Sequence, residues 1–312
     1  MTEPTLLYVS DDPERFTLHS RLFHAAFPSD GSTIRFLFDH VNGVGAPMRV
    51  TAGVYNGGGN PATVSMVGGC AGPDPNGMNV GHLATLRFIQ AHEAVGATAA
   101  SLHAIPPGGT FALADYVLQP DQCVAGLFDL QCPVESVCEV RIIACDPSHD
   151  QVNVFDLLPE AADDGKTRRG IFDTTGMSDV VDLSYSGAAD STAVGDRACP
   201  RAASDTYGGA DYAGGYGVMR NLVIAAQSDA CVYQSARGGS ATATYYVNGR
   251  LWASHQIPAK ARSKVCRVGA GQTVSLVTMA EINSSYPLDL IVDQNDTAVA
   301  DAGDAGSPLH EV

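Results

Sequence analysis

The chain alternates hydrophobic and polar residues over short stretches, which is the pattern of half-buried β-strands. An apolar run at residues 6–10 ends in the turn sequence Asp11-Asp12-Pro13. Alternation follows at 33–40 and 48–55, and a further apolar run covers 61–67. Asn42-Gly43, a dipeptide typical of tight turns, separates the two alternating segments. We therefore predict a series of antiparallel strands in this part of the chain.

A single segment shows the period of an amphipathic helix. Between residues 79 and 94 the apolar residues are mostly three and four positions apart, and Asn79 can cap the start. Strand character then resumes in four segments, 97–105, 110–118, 122–130 and 137–144. A lone helix among strands predicts a β-sandwich with the helix packed across one end.

Residues 147–167 interrupt this pattern with a polar stretch that includes Asp163-Asp164-Gly165-Lys166. Strand patterns restart at Arg168, and Asn248-Gly249 between two apolar runs gives the clearest hairpin signal in the chain. We predict an all-β protein of two antiparallel β-sandwich domains, jelly-roll or immunoglobulin-like in type. The predicted domains cover residues 1–160, with the short helix near 79–94, and 161–294, and the acidic tail 295–312 is predicted to be flexible.

The charge of the chain argues against two classes of partner. The formal net charge is -16, and the longest basic run, Lys166-Thr167-Arg168-Arg169, is short. Nucleic-acid binding and attraction to anionic membranes both require a positive surface. No apolar run reaches membrane-spanning length. We therefore expect neither nucleic-acid binding nor membrane insertion, and leave a polysaccharide, a protein partner or self-association open.

Eight cysteines are many for a cytosolic protein of this size, and none forms a Cys-x-x-Cys motif or a zinc spacing. We predict structural disulfides, with buried free thiols as the alternative. The predicted boundary leaves odd numbers on its two sides, so a full set of bridges needs one link between domains, through Cys199. The candidate cysteines are Cys70, Cys123, Cys132, Cys138, Cys145, Cys199, Cys231 and Cys266.

The cysteines also bear on localisation. The start Met1-Thr2-Glu3-Pro4 lacks the basic and apolar stretches of a secretion signal. Either a signal was removed ahead of this start or the protein is cytosolic. Because disulfides persist in oxidising compartments, we expect an extracellular or cell-surface protein.

Several short segments resemble a group of secreted bacterial β proteins of uncharacterised function. They are the strand and turn at 35–43, the strand at 50–56, Val80-Gly81-His82 at the start of the helix, and Gly215-Tyr216-Gly217-Val218 entering a later strand. The resemblance implies a secreted bacterial β-sandwich protein, and it brings no catalytic residues with it.

Four residues predict a metal site at one end of the first domain. His40 and His82 each lie at the end of a predicted element, where Asp39 or Asp74 could complete a ligand set. Alternatively, His82 packs at the helix start and His40 bonds to the backbone of its turn. Acidic loops could also hold a structural calcium ion, because calcium prefers carboxylate and carbonyl oxygens. The candidate loops are Asp11-Asp12, residues 74–77, 146–150 and 293–296.

Three tyrosines, Tyr207, Tyr212 and Tyr216, lie in a glycine-rich loop and could offer flat rings to a ligand. The alternative is that these rings fold back onto the sandwich. Gly68-Gly69-Cys70-Ala71-Gly72 has the spacing of a nucleophile turn with cysteine in the nucleophile position. The residues that follow cannot begin a helix at the required distance, so we interpret Cys70 as a turn or disulfide cysteine.

We predict a secreted or cell-surface, non-catalytic protein that binds a polymer, a partner or itself. One alternative is an extracellular enzyme acting on polysaccharide or peptide, with or without a metal. The other is a structural subunit of a phage or filament. Two or more of His40, His82, His92 and His103 within reach of an aspartate in a cleft would favour the enzyme.

Overall fold

A computed structural model describes residues 3–95, 100–149 and 154–294 of the chain. The predicted flexible tail, 295–312, lies outside the described residues. The described chain is mostly β and has one α-helix, so the all-β prediction is confirmed. It divides into two compact units, Met1–Thr174 with Pro200–Asp211, and Thr175–Cys199 with the chain from Tyr212 onward.

In its described part, the first unit contains eleven strands, a helix, and a 3-10 turn at Phe155–Leu157. Its elements are β1 (Leu6–Ser10), β2 (Arg15–Phe16), β3 (Ser20–Ala26), β4 (Ile34–Asn42), β5 (Met48–Asn56), β6 (Ala62–Asp74), α1 (Gly77–Val95), β7 (Ser101–Ile105), β8 (Thr110–Leu118), β9 (Cys123–Gln131), β10 (Cys138–Cys145) and β11 (Arg169–Asp173).

These strands form two sheets. One has the order β11-β1-β4-β9-β6-β7, with β2 also paired to β4, and the other has the order β3-β10-β5-β8. Most pairs are antiparallel, but β1 and β2 both run parallel to β4. Alternation sends one face of each sheet into a shared core, for example Phe36 and Phe38 from β4 with Val50 and Val54 from β5.

The helix α1 covers the other face of the larger sheet, where it packs on β6 and β9. The alternation of β4 shows this directly, because Phe36 enters the core while the neighbouring Arg35 lies 4.8 Å from the ring centre of Phe88 on α1. Gly69 on β6 allows the close approach, since a Cβ there would lie 2.7 Å from the Cβ of Arg87.

Two buried asparagines close loops in the same way. The Asn42 side chain donates to the carbonyls of Ala46 and Leu118, both at 2.9 Å, and accepts from the Val44 amide. The Asn56 side chain repeats these three bonds with Asn60, Ile105 and Gly58. Each amide therefore ties its own loop to a distant turn, which an apolar side chain could not do.

Up to residue 294, where its described part ends, the second unit has nine strands in two sheets with a shared core. They are β12 (Val181–Tyr185), β13 (Asp190–Val194), β14 (Met219–Ala226), β15 (Ala230–Ala236), β16 (Ala241–Val247), β17 (Arg250–Ile257), β18 (Arg262–Val268), β19 (Thr273–Met279) and β20 (Leu288–Gln294). The sheet orders are β12-β14-β19-β16-β17 and β13-β20-β15-β18.

Two local predictions are confirmed. The helix predicted at 79–94 forms as α1, although it packs on a face of the larger sheet and not across one end as predicted. The predicted hairpin forms between β16 and β17, where Asn248 and Gly249 both adopt positive φ, as a tight two-residue turn requires.

The predicted boundary region differs from the observed structure. The first unit continues past residue 160, because β11 pairs antiparallel with β1 and the segment 200–211 joins the same unit. Backbone bonds extend this sheet further, from the Asp173 amide to Pro200 and from the Ala202 amide to Ile171. The polar composition of 147–167 resembles that of a linker, although Phe155 packs against Ile143 and Cys145 and the Asp164 amide bonds to Asp12.

We predict that Asn56→Asp destabilises the protein by about 2 kcal/mol, because a carboxylate cannot donate to the Asn60 and Ile105 carbonyls. Urea unfolding measures the effect. Asn248→Asp is the matched control, since the Asn248 side chain accepts a bond from the Ser275 amide and Asp preserves that role. Equal losses in the two variants would contradict the role assigned to the Asn56 amide.

Candidate functional site

Aspartates converge at the end of the larger sheet of the first unit, and the strand register explains why. In the parallel pair β1–β4, Ser10 lies opposite Phe38, so the next positions, Asp11 and Asp39, are neighbours. Burial raises the pKa of Asp11 well above its usual value, and the nearby charges of Asp39, Glu14 and then Asp164 raise it further. This concentration of negative charge in a partly dehydrated place marks the region as a candidate site.

The same row continues across the sheet to β9 and β6. Cys123 on β9 pairs with Asp74 at the end of β6, and its thiol donates to the Asp74 carbonyl at 3.0 Å. Burial, followed by the charges of Asp39 and Asp74, raises the pKa of Cys123 to about 12. Two of the four predicted metal ligands, Asp39 and Asp74, thus lie at the same end of the sheet.

A second group of carboxylates adjoins this row. One oxygen from each of Asp12, Asp163 and Asp164 lies within 4.8 Å of the others, and the Asp164 amide donates to Asp12 at 2.8 Å. Calcium–oxygen distances of about 2.4 Å would fit oxygens at this spacing. The group is not purely acidic, because Arg169 lies 3.9 Å from the Asp12 carboxylate. A cavity of about 250 Å³ beside it is also lined by Arg168, Arg169 and Arg201.

His40 lies apart from these carboxylates, on the core-facing side of β4. Its Nδ1 lies 3.0 Å from the Pro13 carbonyl and its Nε2 lies 2.8 Å from the Ser10 hydroxyl. Because a carbonyl only accepts, Nδ1 carries the proton and Nε2 accepts from Ser10. Burial lowers the pKa of His40 to about 4, which keeps the ring neutral. Both ring nitrogens are therefore used internally, but the backbone partner is Pro13 in a distant segment rather than the turn that follows His40.

The other histidines lie in different places. His82 is fully buried on α1, and His103 on β7 contacts the Ser101 hydroxyl at 2.9 Å. His92 contacts Asp129 at 2.8 Å. Of His40, His92 and His103, only His92 has an aspartate as its described hydrogen-bond partner, so these three do not form one catalytic group.

Asp129 belongs to a buried ionic network between the sheet and α1. Arg35 donates to it through Nε at 2.7 Å and Nη2 at 2.9 Å, and also binds Glu3. Although burial opposes ionisation of Asp129, Arg35 and then His92 hold its pKa below the usual value. Sequence reasoning missed this pair, but charged residues within otherwise apolar strands were a signal that could have found it.

The structure divides the three loop tyrosines between the two units. Tyr207 lies in the first unit, where its ring stacks on Phe23 at 5.4 Å and its hydroxyl bonds to the His24 backbone. Tyr212 and Tyr216 lie in the second unit, where their ring centres are 6.0 Å apart. The Tyr216 hydroxyl donates to the Ser284 carbonyl at 3.1 Å. These contacts follow the alternative in which the rings pack on the protein itself.

All eight cysteines are described, and all are free thiols in this structure. The predicted disulfide framework is thus absent. Cys70 does not lie in a nucleophile turn, because β6 continues through it to Asp74. Its sulfur contacts the Tyr116 hydroxyl at 3.4 Å, inside the unit.

An exposed groove lies elsewhere on the first unit, beside β6 and the end of β9, with Leu102 of β7 in its lining. Two adjoining cavities of about 390 and 310 Å³ share the lining residues Thr63, Pro133 and Val134. Leu102 on β7 and Val134 are 71% and 61% exposed, which is unusual for large apolar side chains. We call these two cavities the edge groove. No hydrophobic period in the sequence indicated it, since the folded edge alone brings these segments together.

Comparison with models of known protein families and with the curated proteins finds no match to this chain. Within the described residues, no helix is both long and apolar enough to cross a membrane. Any function proposed for this chain therefore rests on its own geometry.

We predict strong coupling between Arg35 and Asp129. Replacing Arg35 with Met alone should cost about 3–5 kcal/mol, because it leaves a buried carboxylate without its main cation. The double variant Arg35→Met/Asp129→Leu should recover most of that loss. A double-mutant cycle in urea tests this, and additive losses would contradict the pairing.

We predict that Asp11→Asn stabilises the protein at pH 7. The folded pKa of Asp11 lies above its ordinary value of 3.8, so its penalty is absent below that pH and grows as pH rises towards the folded pKa. The variant should raise Tm by about 2 °C or more at pH 7, as expected for about 1 kcal/mol, and by nothing at pH 3. Thermal unfolding followed by circular dichroism measures both.

Asp30→Asn is the control for this charge change, because hydrogen bonds from Ser32 lower the pKa of Asp30. It should not raise Tm at pH 7, and a rise equal to that of Asp11→Asn would show only a general effect of net charge. Adding calcium chloride makes a further distinction. If calcium neutralises the carboxylates around Asp11, calcium should stabilise the wild-type protein, and the Asp11→Asn variant should lose that gain.

Proposed function

We propose that this chain is a secreted or cell-surface, non-catalytic protein whose two units are β-sandwiches of jelly-roll or immunoglobulin-like type. We further propose that its first unit binds an extended segment of a protein partner along the edge groove. The observation that carries this proposal is the position of Leu102, which lies on the open strand β7 and also lines one of two adjoining cavities.

The open edge selects the kind of partner. Within the described residues, β7 ends its sheet and pairs only with β6. The other side of an edge strand presents backbone N–H and C=O groups at regular spacing, which an added polypeptide strand can satisfy. A polysaccharide has no matching ladder of donors and acceptors.

The side chains along this edge give the partner its character. Leu102 projects from β7, and Val134 forms the wall shared by the two cavities. Burying both under a partner would remove apolar surface from water at about 25 cal/mol per Å². A partner strand with apolar residues at alternate positions would place them on this one side.

Charge adds a further requirement. Asp30 lines one cavity and Glu135 the other, and the described lining of both contains no Lys or Arg. The whole chain carries -16. A basic segment is therefore attracted, whereas a second copy of this acidic chain is repelled. The proposed partner segment is extended, basic and alternately apolar.

The test uses a fluorescein-labelled synthetic peptide of alternating Val and Lys, with fluorescence anisotropy as the readout. Binding to the full chain should be weakened at least tenfold, about 1.4 kcal/mol, by Leu102→Asp/Val134→Asp. The control variant is Leu157→Asp/Val180→Asp, which adds the same charge at two other exposed apolar positions, 79% and 60% exposed.

A control peptide with the same composition in blocks should bind more weakly than the alternating peptide. Equal binding by the two double variants, or no binding of the alternating peptide to the wild type, would contradict the groove as the site. An apparent molar mass from light scattering that grows with protein concentration in the absence of peptide would instead favour the filament alternative.

A further inference from the structure

The turn between β9 and β10 holds two cysteines in contact. Cys132 immediately follows β9 and Cys138 begins β10, so five residues separate them. The Cys132 thiol makes a side-chain hydrogen bond to Cys138. Both residues belong to the core of the first unit and are only 2% and 1% exposed. The pair is thus enclosed together, although β9 and β10 belong to different sheets.

The turn is fixed by its own bonds. The Ser136 amide and hydroxyl both donate to the Pro133 carbonyl, at 3.2 and 2.7 Å. Glu135 adopts a positive φ of 65°, which turns the chain back towards β10. A short turn of this kind can form before the rest of the unit and bring its two ends within reach of each other.

Backbone contacts hold the segment in place on the folded unit. The Phe27 amide donates to the Cys138 carbonyl at 3.0 Å, and the Gly57 amide donates to the Val137 carbonyl at 2.8 Å. On the other side, the Gln131 side chain donates to the Gly31 carbonyl at 2.8 Å. The backbone of the segment is therefore fixed on both sides, which keeps its two cysteines in the same core.

We infer that Cys132 and Cys138 are a dithiol site that closes to a structural disulfide when the chain folds in the presence of a disulfide oxidant. This inference does not depend on the proposed binding function. Closure would lock the 133–137 segment that lines the edge groove.

The electrostatics distinguish the two sulfurs. The hydrogen bond from Cys132 lowers the pKa of Cys138, and a bond from Ser136 lowers it further. The same pair interaction, with burial, raises the pKa of Cys132. Within the pair, Cys138 is thus the sulfur that ionises more readily.

With glutathione disulfide as oxidant, the exchange balances in two steps. The Cys138 thiolate attacks one glutathione sulfur, and the first glutathione leaves as a thiolate. The Cys132 thiolate then attacks the Cys138 sulfur and releases the second glutathione. The two protons of the cysteines pass to the released thiolates, so the protein pair is oxidised as one glutathione disulfide is reduced to two glutathione molecules.

The sequence itself provides the means of detection. Glu135 lies between the two cysteines and Glu139 follows them, so cleavage after glutamate releases a short fragment, 136–139, containing Cys138 alone. The neighbouring fragment, 94–135, contains Cys123 and Cys132. A bridge from Cys138 would hold the two fragments together until a reductant is added.

The experiment refolds the reduced full chain in a glutathione redox buffer, blocks free thiols with N-ethylmaleimide in denaturant, cleaves after glutamate and measures masses. We expect the two fragments to be linked in the wild type and in Cys123→Ser. The link should be lost in Cys132→Ser. Unlinked fragments from the refolded wild type, or a link that persists in Cys132→Ser, would overturn the inference.

A second measurement does not require a cysteine variant. Because both sulfurs are buried, dithiothreitol should not open the bridge in the native chain over the time in which it fully reduces the denatured chain. Equal reduction in the two states would show that the bridge is accessible to solvent. That result would contradict the burial of Cys132 and Cys138.

Discussion

The parallel pairing of β1 with β4 is the constraint on which most of the first unit depends. It places the N-terminal strand inside the sheet, so that its other edge is free to accept β11 from far along the chain. Once β11 is in place, the segment before it lies against Asp12, and the segment 200–211 can extend the sheet. A strand at this position therefore determines the extent of the unit.

Burial of charge is the second feature of this unit, and it takes two forms. Arg35 and Asp129 neutralise each other beneath α1, with a bidentate geometry that offsets their loss of water. Asp11 has no such balance, because its neighbours Asp39, Glu14 and Asp164 carry the same sign. The Arg35–Asp129 pair holds the helix on the sheet. The carboxylates around Asp11 repel one another at the end of the sheet.

The polar side chains that could take part in binding or catalysis largely form hydrogen bonds within the fold. The His40 ring bonds to Ser10 and Pro13, and the Tyr207 hydroxyl bonds to the His24 backbone. The edge groove differs, since Leu102 and Val134 in its lining stay exposed and Leu102 lies on the open strand β7. This contrast leads us to propose binding at an edge rather than chemistry in a cleft.

The sequence by itself determined the all-β class, the single helix and the hairpin at Asn248-Gly249, because periodicity and turn chemistry act over a few residues. It also excluded a long apolar helix. It could not show that Asp12 meets Asp164, that β11 joins the first unit, or that Leu102 and Val134 border one groove. Those relations join residues far apart in the chain, and only strand order and register bring such residues together.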